Sequence, residues 1–189
     1  MRKIILASAS PRRRELLERA GFEFEVMTSG AEEKANTSDA ELMVRELALL
    51  KAGAVAKTAK ITALVIGADT VVCLKDEILG KPKNEADAKE MLKKLSGRAH
   101  SVYTGVCVTD TKTGKSVCKS ERTDVFFRNI SDEEICEYVK TGEPMDKAGA
   151  YAIQGGAAKF VSACEGNLDN VIGLPVELVK EIIQTEFTV

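Results

Sequence analysis

Apolar and polar positions along the chain predict short strands that alternate with helices. The chain opens with an apolar run over 4–7, typical of a buried strand, and helical spacing follows from Pro11 to Ala20. Ser10 is expected to be the N-cap of that helix, with Pro11 in the first turn, where its missing N–H needs no partner. Residues 22–27 alternate apolar with polar positions, which predicts a half-buried strand.

The alternation continues to the end of the chain. Helix starts are expected at two capping boxes, Ser38-x-x-Glu41 and Ser131-x-x-Glu134, at Asn84 and at Pro175. The predicted later helices cover 42–57, 84–95, 131–139 and 175–185, and the predicted later strands cover 62–74, 101–109, 116–127 and 160–163. A hairpin turn at Thr113-Gly114 would join two of these strands. The pattern therefore predicts an α/β fold, a mixed twisted sheet with helices on both faces.

Length and charge narrow the class of protein. With 189 residues, the chain is expected to form a single domain over 1–189 with a substantial core. The net charge of −2 leaves no general basic field, which argues against nucleic acid or an anionic membrane as partner. No apolar run approaches the length of a membrane span, and we expect no signal peptide.

The cysteines indicate the compartment. There are five, with no Cys-x-x-Cys pair: Cys73, Cys107, Cys118, Cys136 and Cys164. Isolated thiols in apolar stretches are typical of reduced core residues in a cytoplasmic protein, so all five are expected to be reduced.

A single histidine, His100, limits the metal chemistry. Zinc or iron sites built from several histidines are excluded. We expect His100 in a loop that leads into a strand, with a structural or surface role. A metal in this protein would have carboxylate and water ligands, which favours magnesium or manganese.

The first candidate site is the start of the first helix. Arg12, Arg13 and Arg14 occupy its first turn, where backbone amides and the positive dipole end attract anions. The forked guanidinium groups suit phosphate oxygens. The alternative is a solvated basic face of a surface helix.

The second candidate is Asp69, in the polar break Gly67-Ala68-Asp69-Thr70 of an apolar strand pattern. A carboxylate in this position serves as a metal ligand, as a general base, or as a buried hydrogen-bonded structural group. The residues alone leave these alternatives open.

Two loops complete the candidates. Gly80-Lys81-Pro82 presents Lys81 on a defined loop, although a solvated lysine is the ordinary case there, and no Walker A spacing exists. The glycine-rich segment 146–156 surrounds Gln154, which either reads the edge of a base or caps a neighbouring backbone group.

Six motifs in order resemble one family along essentially the whole chain. They are Ser8-Ala9-Ser10-Pro11-Arg12-Arg13, Gly67-Ala68-Asp69-Thr70, Gly80-Lys81-Pro82, Ser96-Gly97-Arg98-Ala99-His100, Ala148-Gly149-Ala150-Tyr151-Ala152-Ile153-Gln154-Gly155 and Asn170-Val171-Ile172-Gly173-Leu174-Pro175. In these motifs the chain resembles the Maf (septum-formation) proteins, a family of nucleoside triphosphate pyrophosphatases.

The resemblance implies both a fold and a reaction. The fold would be related to the inosine triphosphate pyrophosphatases, with two lobes around a cleft. The reaction would hydrolyse the α–β phosphoanhydride of a nucleoside triphosphate and release the monophosphate and pyrophosphate. It would use a divalent cation, Mg²⁺ foremost, with Mn²⁺ or Co²⁺ as alternatives. A homodimer is a further expectation from the family.

Site residues follow by matching motif positions. The counterpart of Asp69 is the proton acceptor, and an acidic counterpart lies near the metal. That acidic residue is Glu33 or its neighbour Glu32, of which Glu33 is favoured. The metal would thus bind Asp69 and Glu33. The counterparts that face the phosphates are Ser8, Arg12, Arg13, Lys51 and Lys81.

Three positions indicate the substrate. Arg12, Thr70 and Gln154 match the subgroup that prefers dTTP and UTP, and differ from the subgroup that acts on 7-methyl-GTP. An amide can both donate to and accept from the O4–N3 edge of uracil or thymine. Modified pyrimidine nucleotides stay open as substrates. The alternatives are a non-catalytic regulator of septum formation that binds a nucleotide or a partner, and a phosphatase that releases inorganic phosphate.

Overall fold

A computed structural model describes residues 2–28, 30 and 34–187. The strands are β1 (Lys3–Leu6), β2 (Glu25–Val26), β3 (Ala63–Leu74), β4 (Glu77–Leu79), β5 (Ala99–Asp110), β6 (Ser116–Phe127) and β7 (Val161–Glu165). The α-helices are α1 (Pro11–Arg19), α2 (Ala40–Thr58), α3 (Glu85–Leu95), α4 (Asp132–Lys140), α5 (Leu168–Ile172) and α6 (Val176–Glu186). Short 3-10 helices cover Glu143–Asp146, Ala148–Ala150 and Gly156–Phe160.

The strands form a mixed sheet. Their order is β2-β1-β3-β5-β6-β7, and β4 pairs with β3 outside this path. β1 runs parallel to β2 and β3, with Ile5 opposite Val65, whereas β4 is antiparallel to β3 and β7 is antiparallel to β6. The prediction of a mixed α/β sheet is confirmed.

The chain divides into two compact units. The first comprises Met1–Asp69, Thr104–Glu121 and Gly173–Val189, and the second comprises Thr70–Tyr103 and Arg122–Ile172. β3, β5 and β6 each have residues in both units. The chain passes from the first unit to the second between Asp69 and Thr70, and again between Glu121 and Arg122.

The core of the first unit lies between α2 and the sheet. Ala48 and Ala52 on the inner face of α2 pack with Ile5, Val65 and Cys107 from three neighbouring strands, and all five are fully buried. Small side chains on the helix let it approach the β-branched strand residues closely.

The core of the second unit contains a cluster of aromatic rings among aliphatic side chains. Phe127 forms edge-to-face contacts with Tyr151 and Phe160, at ring-centroid distances of 4.9 and 6.2 Å, and Tyr138 meets Phe160 at 5.5 Å. Such pairs hold the ring orientations as well as burying apolar area. The segment around Tyr151 is therefore anchored to β6 and α4.

Most predicted helix starts are confirmed. Ser10 is the N-cap residue of α1 with Pro11 in the first turn, although the Ser10 side chain makes no capping hydrogen bond. Asn84 accepts from the amide of Asp87, and Ser131 forms its complete capping box with Glu134. These signals act over three or four residues, so the local sequence suffices to define them.

The capping box at Ser38 is wrong. α2 begins after Asp39, whose carboxylate accepts from the amide of Leu42 at 2.9 Å. An aspartate carries a negative charge, which the helix N-terminus stabilises in addition to the hydrogen bond.

The half-buried strand over 22–27 is also wrong. Only Glu25 and Val26 are in a strand, and both are exposed. β2 ends the sheet path, so the alternation in its sequence does not correspond to a buried and a solvated face.

The expectation of five reduced, isolated thiols is wrong for one pair. Cys107 and Cys118 form a disulfide across β5 and β6, with Cα atoms 4.1 Å apart. The register that joins Asp110 to Lys115 at the turn places these cysteines directly opposite each other. Cys73, Cys136 and Cys164 are thiols.

Candidate active site

The loop between β1 and α1 is organised around Ser8. Ser8 is buried, and its hydroxyl oxygen accepts from the amide of Ser10 at 3.2 Å and from Arg13 Nη1 at 3.3 Å. The apolar strand β1 ends at Leu6, and Pro11 starts the helix, so the turn between them is short. Ser8 thus lies directly before the amide-rich N-terminus of α1, where an anion would bind.

Arg13 ties this loop to two other parts of the first unit. Its Nη1 donates to the carbonyl of Ala68 at 2.8 Å, and its Nε donates to the carbonyl of Gly173 at 2.8 Å. The planar guanidinium can serve several acceptors at fixed angles, which a lysine cannot do. Arg13 therefore holds the start of α1 beside β3, one residue before Asp69.

The other two arginines of this turn face outward to different extents. Arg12 is half-buried and Arg14 is exposed. The sequence pattern does not distinguish the three arginines and predicts one basic cluster. The structure distinguishes them, because a helix turn spreads consecutive side chains over different faces.

Lys51 and Asp69 form a buried ion pair. Lys51 Nζ donates to Asp69 Oδ1 at 2.6 Å, and the exposed fractions of the two side chains are 10% and 13%. Lys51 is on the sheet-facing side of α2, and Asp69 is on β3. The pair brings a carboxylate and an ammonium group to one point of the first unit, where the carboxylate is held in a defined direction.

Gly67 makes this pairing possible. A Cβ on Gly67 would lie 2.3 Å from the carbonyl oxygen of Ala48 and 2.7 Å from the amide nitrogen of Ala52. The backbone of α2 therefore contacts the backbone of β3 directly, and Lys51 comes within reach of Asp69. Only glycine permits such an approach.

The second unit brings together the loops that carry Lys81 and Gln154. The amide of Gly149 donates to the carbonyl of Gly80 at 3.0 Å, and a Cβ on Gly149 would lie 2.9 Å from Val72. The segment after β4 and the glycine-rich segment 146–156 thus lie side by side. The Lys81 and Gln154 side chains are exposed, and Thr70 is half-buried at the start of this unit.

His100 is a core residue of the second unit. The prediction of a loop is wrong, because His100 is the second residue of β5 and is 3% exposed. Its Nε2 lies 2.8 Å from the hydroxyl of Tyr151, and its ring meets Phe127 edge to face. Burial lowers the pKa of His100 to about 4, against a smaller opposing effect of Asp124. The expected structural role is consistent with a neutral, buried imidazole.

The donor set fits a magnesium ion that binds together with a substrate. In residues 2–28, 30 and 34–187, no three His, Cys, Asp or Glu side chains form a metal-binding cluster. Mg²⁺ does not need one, because one or two carboxylates and substrate phosphates commonly hold it. Among the described residues, the carboxylate of Asp69 is the candidate ligand, and it is paired with Lys51. Glu33 and Glu32 lie outside the described residues.

Every helix in the described part of the chain falls short of the length and apolar character that crossing a bilayer requires.

Comparison with known proteins gives consistent matches. The family model "Maf-like protein" matches residues 3–186. The chain is 49% identical over 187 residues to a dTTP/UTP pyrophosphatase of Thermoanaerobacter sp. (strain X514), which covers 99% of this chain and 98% of the relative. It is 50% identical over 190 residues to a dTTP/UTP pyrophosphatase of Alkaliphilus oremlandii (strain OhILAs), which covers 100% of this chain and 98% of the relative.

A solved structure supports the fold. The Ham1 protein of Staphylococcus aureus superposes with a TM-score of 0.55 at 15% identity, over 97% of this chain and 99% of that one. At this identity the likeness concerns the fold alone.

Proposed function

This chain belongs to the Maf-like protein family, and we propose that it is a nucleoside triphosphate pyrophosphatase that hydrolyses dTTP and UTP. Relatives about half identical over nearly the whole chain carry that activity in their names. The products would be the nucleoside monophosphate and pyrophosphate. The reaction would thereby remove dTTP and UTP from the cellular nucleotide pool. Modified pyrimidine nucleotides are a further substrate class that the same site would accept.

The observation that carries the proposal is the buried pair of Asp69 and Lys51. In the reaction, water attacks the α-phosphorus, the bond to the bridging oxygen breaks, and pyrophosphate leaves. Asp69 is the proposed proton acceptor for that water, because its carboxylate is oriented by Lys51 at 2.6 Å. Lys51 would also place a positive charge beside the reacting phosphate.

Asp69 and Glu33, or Glu32 in its place, would hold the divalent cation. Bound there, Mg²⁺ would neutralise charge on the triphosphate and on the leaving pyrophosphate. Mn²⁺ and Co²⁺ are alternatives that accept oxygen ligands.

The phosphates would bind to the start of α1 and to two lysines. The proposed contacts are Ser8, Arg12, Arg13, Lys51 and Lys81. Support comes from the backbone amides at the start of α1 and from Ser8, whose oxygen lies directly before them. Arg13 would act chiefly by holding this loop in place, since its guanidinium already binds two backbone carbonyls.

Arg12, Thr70 and Gln154 would set the selectivity for the base. Gln154 is exposed in a turn, where its amide can donate to O4 and accept from N3–H of uracil or thymine. Cytosine presents the opposite donor and acceptor pattern at these atoms. The pair of contacts favours dTTP and UTP over CTP as long as the amide keeps this orientation, because rotation of the amide by half a turn would match cytosine.

Further proposals concern the compartment, the oligomeric state and the partners of the protein. The chain would act as one catalytic domain in the cytoplasm, where nucleoside triphosphate pools reside, and as a homodimer. Neither nucleic acid nor a membrane would be its partner. The alternative is that the protein is a non-catalytic regulator of septum formation that binds a nucleotide or a partner protein.

The decisive experiment measures pyrophosphate release with Mg²⁺ from dTTP, UTP, CTP, ATP, GTP, 7-methyl-GTP and ITP. We expect release from dTTP and UTP, and a loss of about 10²–10⁴-fold in turnover for Asp69→Asn. Asp76→Asn, at an exposed position of the β3–β4 turn, is the matched control and should retain activity. Binding of dTTP with no release from any nucleotide would favour the regulatory alternative. Release of inorganic phosphate instead would indicate a phosphatase.

Gln154→Ala tests the base contact. The variant should hydrolyse dTTP, UTP and CTP with similar efficiency, since the remaining contacts are to phosphate and sugar. An unchanged preference would exclude Gln154 as the residue that reads the base.

A further inference from the structure

We propose that Tyr138 and Glu143 are positioning residues that set base selectivity by holding the backbone on both sides of Gln154. The inference rests on the proposed role of Gln154 as the residue that contacts the base. Neither residue stands out in the sequence. Tyr138 occupies one of the buried positions of α4, and Glu143 is one of the many charged residues of the chain.

Tyr138 holds the segment before Gln154. Its hydroxyl accepts from the amide of Ala152 at 3.2 Å and donates to Glu143 Oε1 at 3.0 Å. The ring is 3% exposed and packs edge to face against Phe160. The hydroxyl is therefore fixed in position by a side chain that the core holds in place.

Glu143 holds the segment after Gln154. Both of its carboxylate oxygens accept from the amide of Gly156, each at 3.1 Å. A charged acceptor makes this a stronger bond than one between neutral groups. Lys147 Nζ donates to the Glu143 carbonyl at 3.2 Å, which restrains the backbone that carries the carboxylate.

Gln154 lies at the corner of the turn between these two attachments. The amide of Gly155 donates to the carbonyl of Ala152 at 3.0 Å, so Gln154 is the third residue of that turn. A Cβ on Gly155 would lie 1.9 Å from Glu143 Oε1. The carboxylate can reach the turn only because residue 155 has no side chain.

This arrangement fixes the backbone from which the exposed Gln154 side chain projects. The hydrogen bonds of Tyr138 and Glu143 fix the backbone two residues before and two residues after Gln154. Reading one base edge against another requires placement within a fraction of an ångström. Loosening either attachment should reduce discrimination between bases while leaving the reaction at phosphorus intact.

The test compares kcat and KM for dTTP, UTP and CTP in Tyr138→Phe, which retains the ring and removes the hydroxyl. We expect the selectivity for UTP over CTP to fall about fivefold, the effect of losing the hydrogen bond to the Ala152 amide, through a higher KM for UTP. The kcat at saturating UTP should stay within about twofold of the parent, because the reacting groups are unchanged. Tyr103→Phe, in the same unit, is the matched control and should change neither quantity.

Glu143 provides a second variant in case Tyr138→Phe fails to fold, which a thermal melt will show. Glu143→Ala should lower the same selectivity, and Glu143→Gln, which retains an acceptor oxygen, should recover part of it. Equal effects of alanine and glutamine, or a loss of kcat without loss of selectivity, would overturn the proposal.

Gln154→Ala distinguishes the base contact of Gln154 from the positioning role of Tyr138. If Gln154→Ala lowers selectivity, the double variant Tyr138→Phe/Gln154→Ala should be no less selective than Gln154→Ala, because Tyr138 acts through Gln154. An additive loss in the double variant, or an unaffected Tyr138→Phe, would overturn the positioning role and leave the proposed function standing. If Gln154→Ala itself has no effect on selectivity, the base contact of Gln154 and the positioning role of Tyr138 both fail, whereas pyrophosphate release from dTTP and UTP still tests the proposed reaction.

Amide hydrogen exchange gives a readout without substrate. The amides of Ala152 and Gly156 should be protected in the parent protein, and Tyr138→Phe should speed exchange at Ala152 more than at the core strand β5. Unchanged protection of Ala152 in that variant would contradict the assigned hydrogen bond and overturn the proposal.

Discussion

The ammonium group of Lys51 lies 2.6 Å from Oδ1 of Asp69, and the two side chains are only 10% and 13% exposed. The pair joins α2 to β3 beside Gly67, where the two backbones are in direct contact. Removing two charges from water costs free energy that their mutual attraction must offset. Loss of either partner therefore leaves a buried charge without compensation.

Lys51→Met should destabilise and inactivate the protein together. Methionine fills similar space but leaves the Asp69 carboxylate unpaired, so we expect the free energy of unfolding to fall by about 3–5 kcal/mol. Lys57→Met, at an exposed position of the same helix, is the control and should have little effect. Urea unfolding measures the first quantity and pyrophosphate release measures the second.

The double variant Lys51→Met/Asp69→Asn should be more stable than Lys51→Met alone, because the unpaired charge is gone. Additive destabilisation would show that the two groups do not form a coupled pair in solution.

Gly67→Ala should weaken the packing of α2 on β3. Its Cβ would lie 2.3 Å from a helix carbonyl oxygen, so the backbones must separate, at a cost of about 1–3 kcal/mol or more. Gly53→Ala is the opposite case, because nothing lies within 4 Å of an added Cβ in this helical position. It should raise stability by about 0.5–1 kcal/mol. Thermal or urea unfolding of both variants checks the sign, and a neutral Gly67→Ala would contradict the close approach.

His100 should make stability fall in mild acid. Burial lowers its pKa to about 4 from the ordinary value of 6.5, so between these values the unfolded chain binds a proton that the folded chain does not. Stability from this source is therefore constant above about pH 6.5, and it is lost as the pH falls toward 4, on the order of 3 kcal/mol in all.

His100→Gln isolates this contribution. Carboxylates titrate alike in both proteins, so the difference in unfolding free energy between parent and variant should shrink from about pH 7 to about pH 4.5. A difference that does not depend on pH would show that His100 titrates normally in the folded protein.

The disulfide between Cys107 and Cys118 should contribute to stability. It closes a short loop, since the two cysteines are 11 residues apart, and such a constraint on the unfolded chain is worth about 3 kcal/mol. Excess dithiothreitol should lower the unfolding free energy of the parent by this amount and leave Cys118→Ser unaffected. Five titratable thiols in the untreated, denatured protein would contradict the disulfide.

Local signals in the chain determine the elements and several of their ends. Asn84 and Ser131 cap helices that start where the sequence predicts, and the alternating strand patterns over 116–127 coincide with β6. Propensity, capping and periodicity act within a few residues, so they can be read without the fold. The motifs also identify Asp69 and Gln154 as candidates before any contact is known.

Only the tertiary structure decides which side chains and backbone groups contact each other across the fold. The contacts of Arg13 with Ala68 and of Lys51 with Asp69 span 55 and 18 positions, and strand register and helix placement bring them about. The Cys107–Cys118 pair likewise depends on the register of β5 and β6. A side chain's partner is set by packing between elements distant in sequence, and no local pattern records that packing.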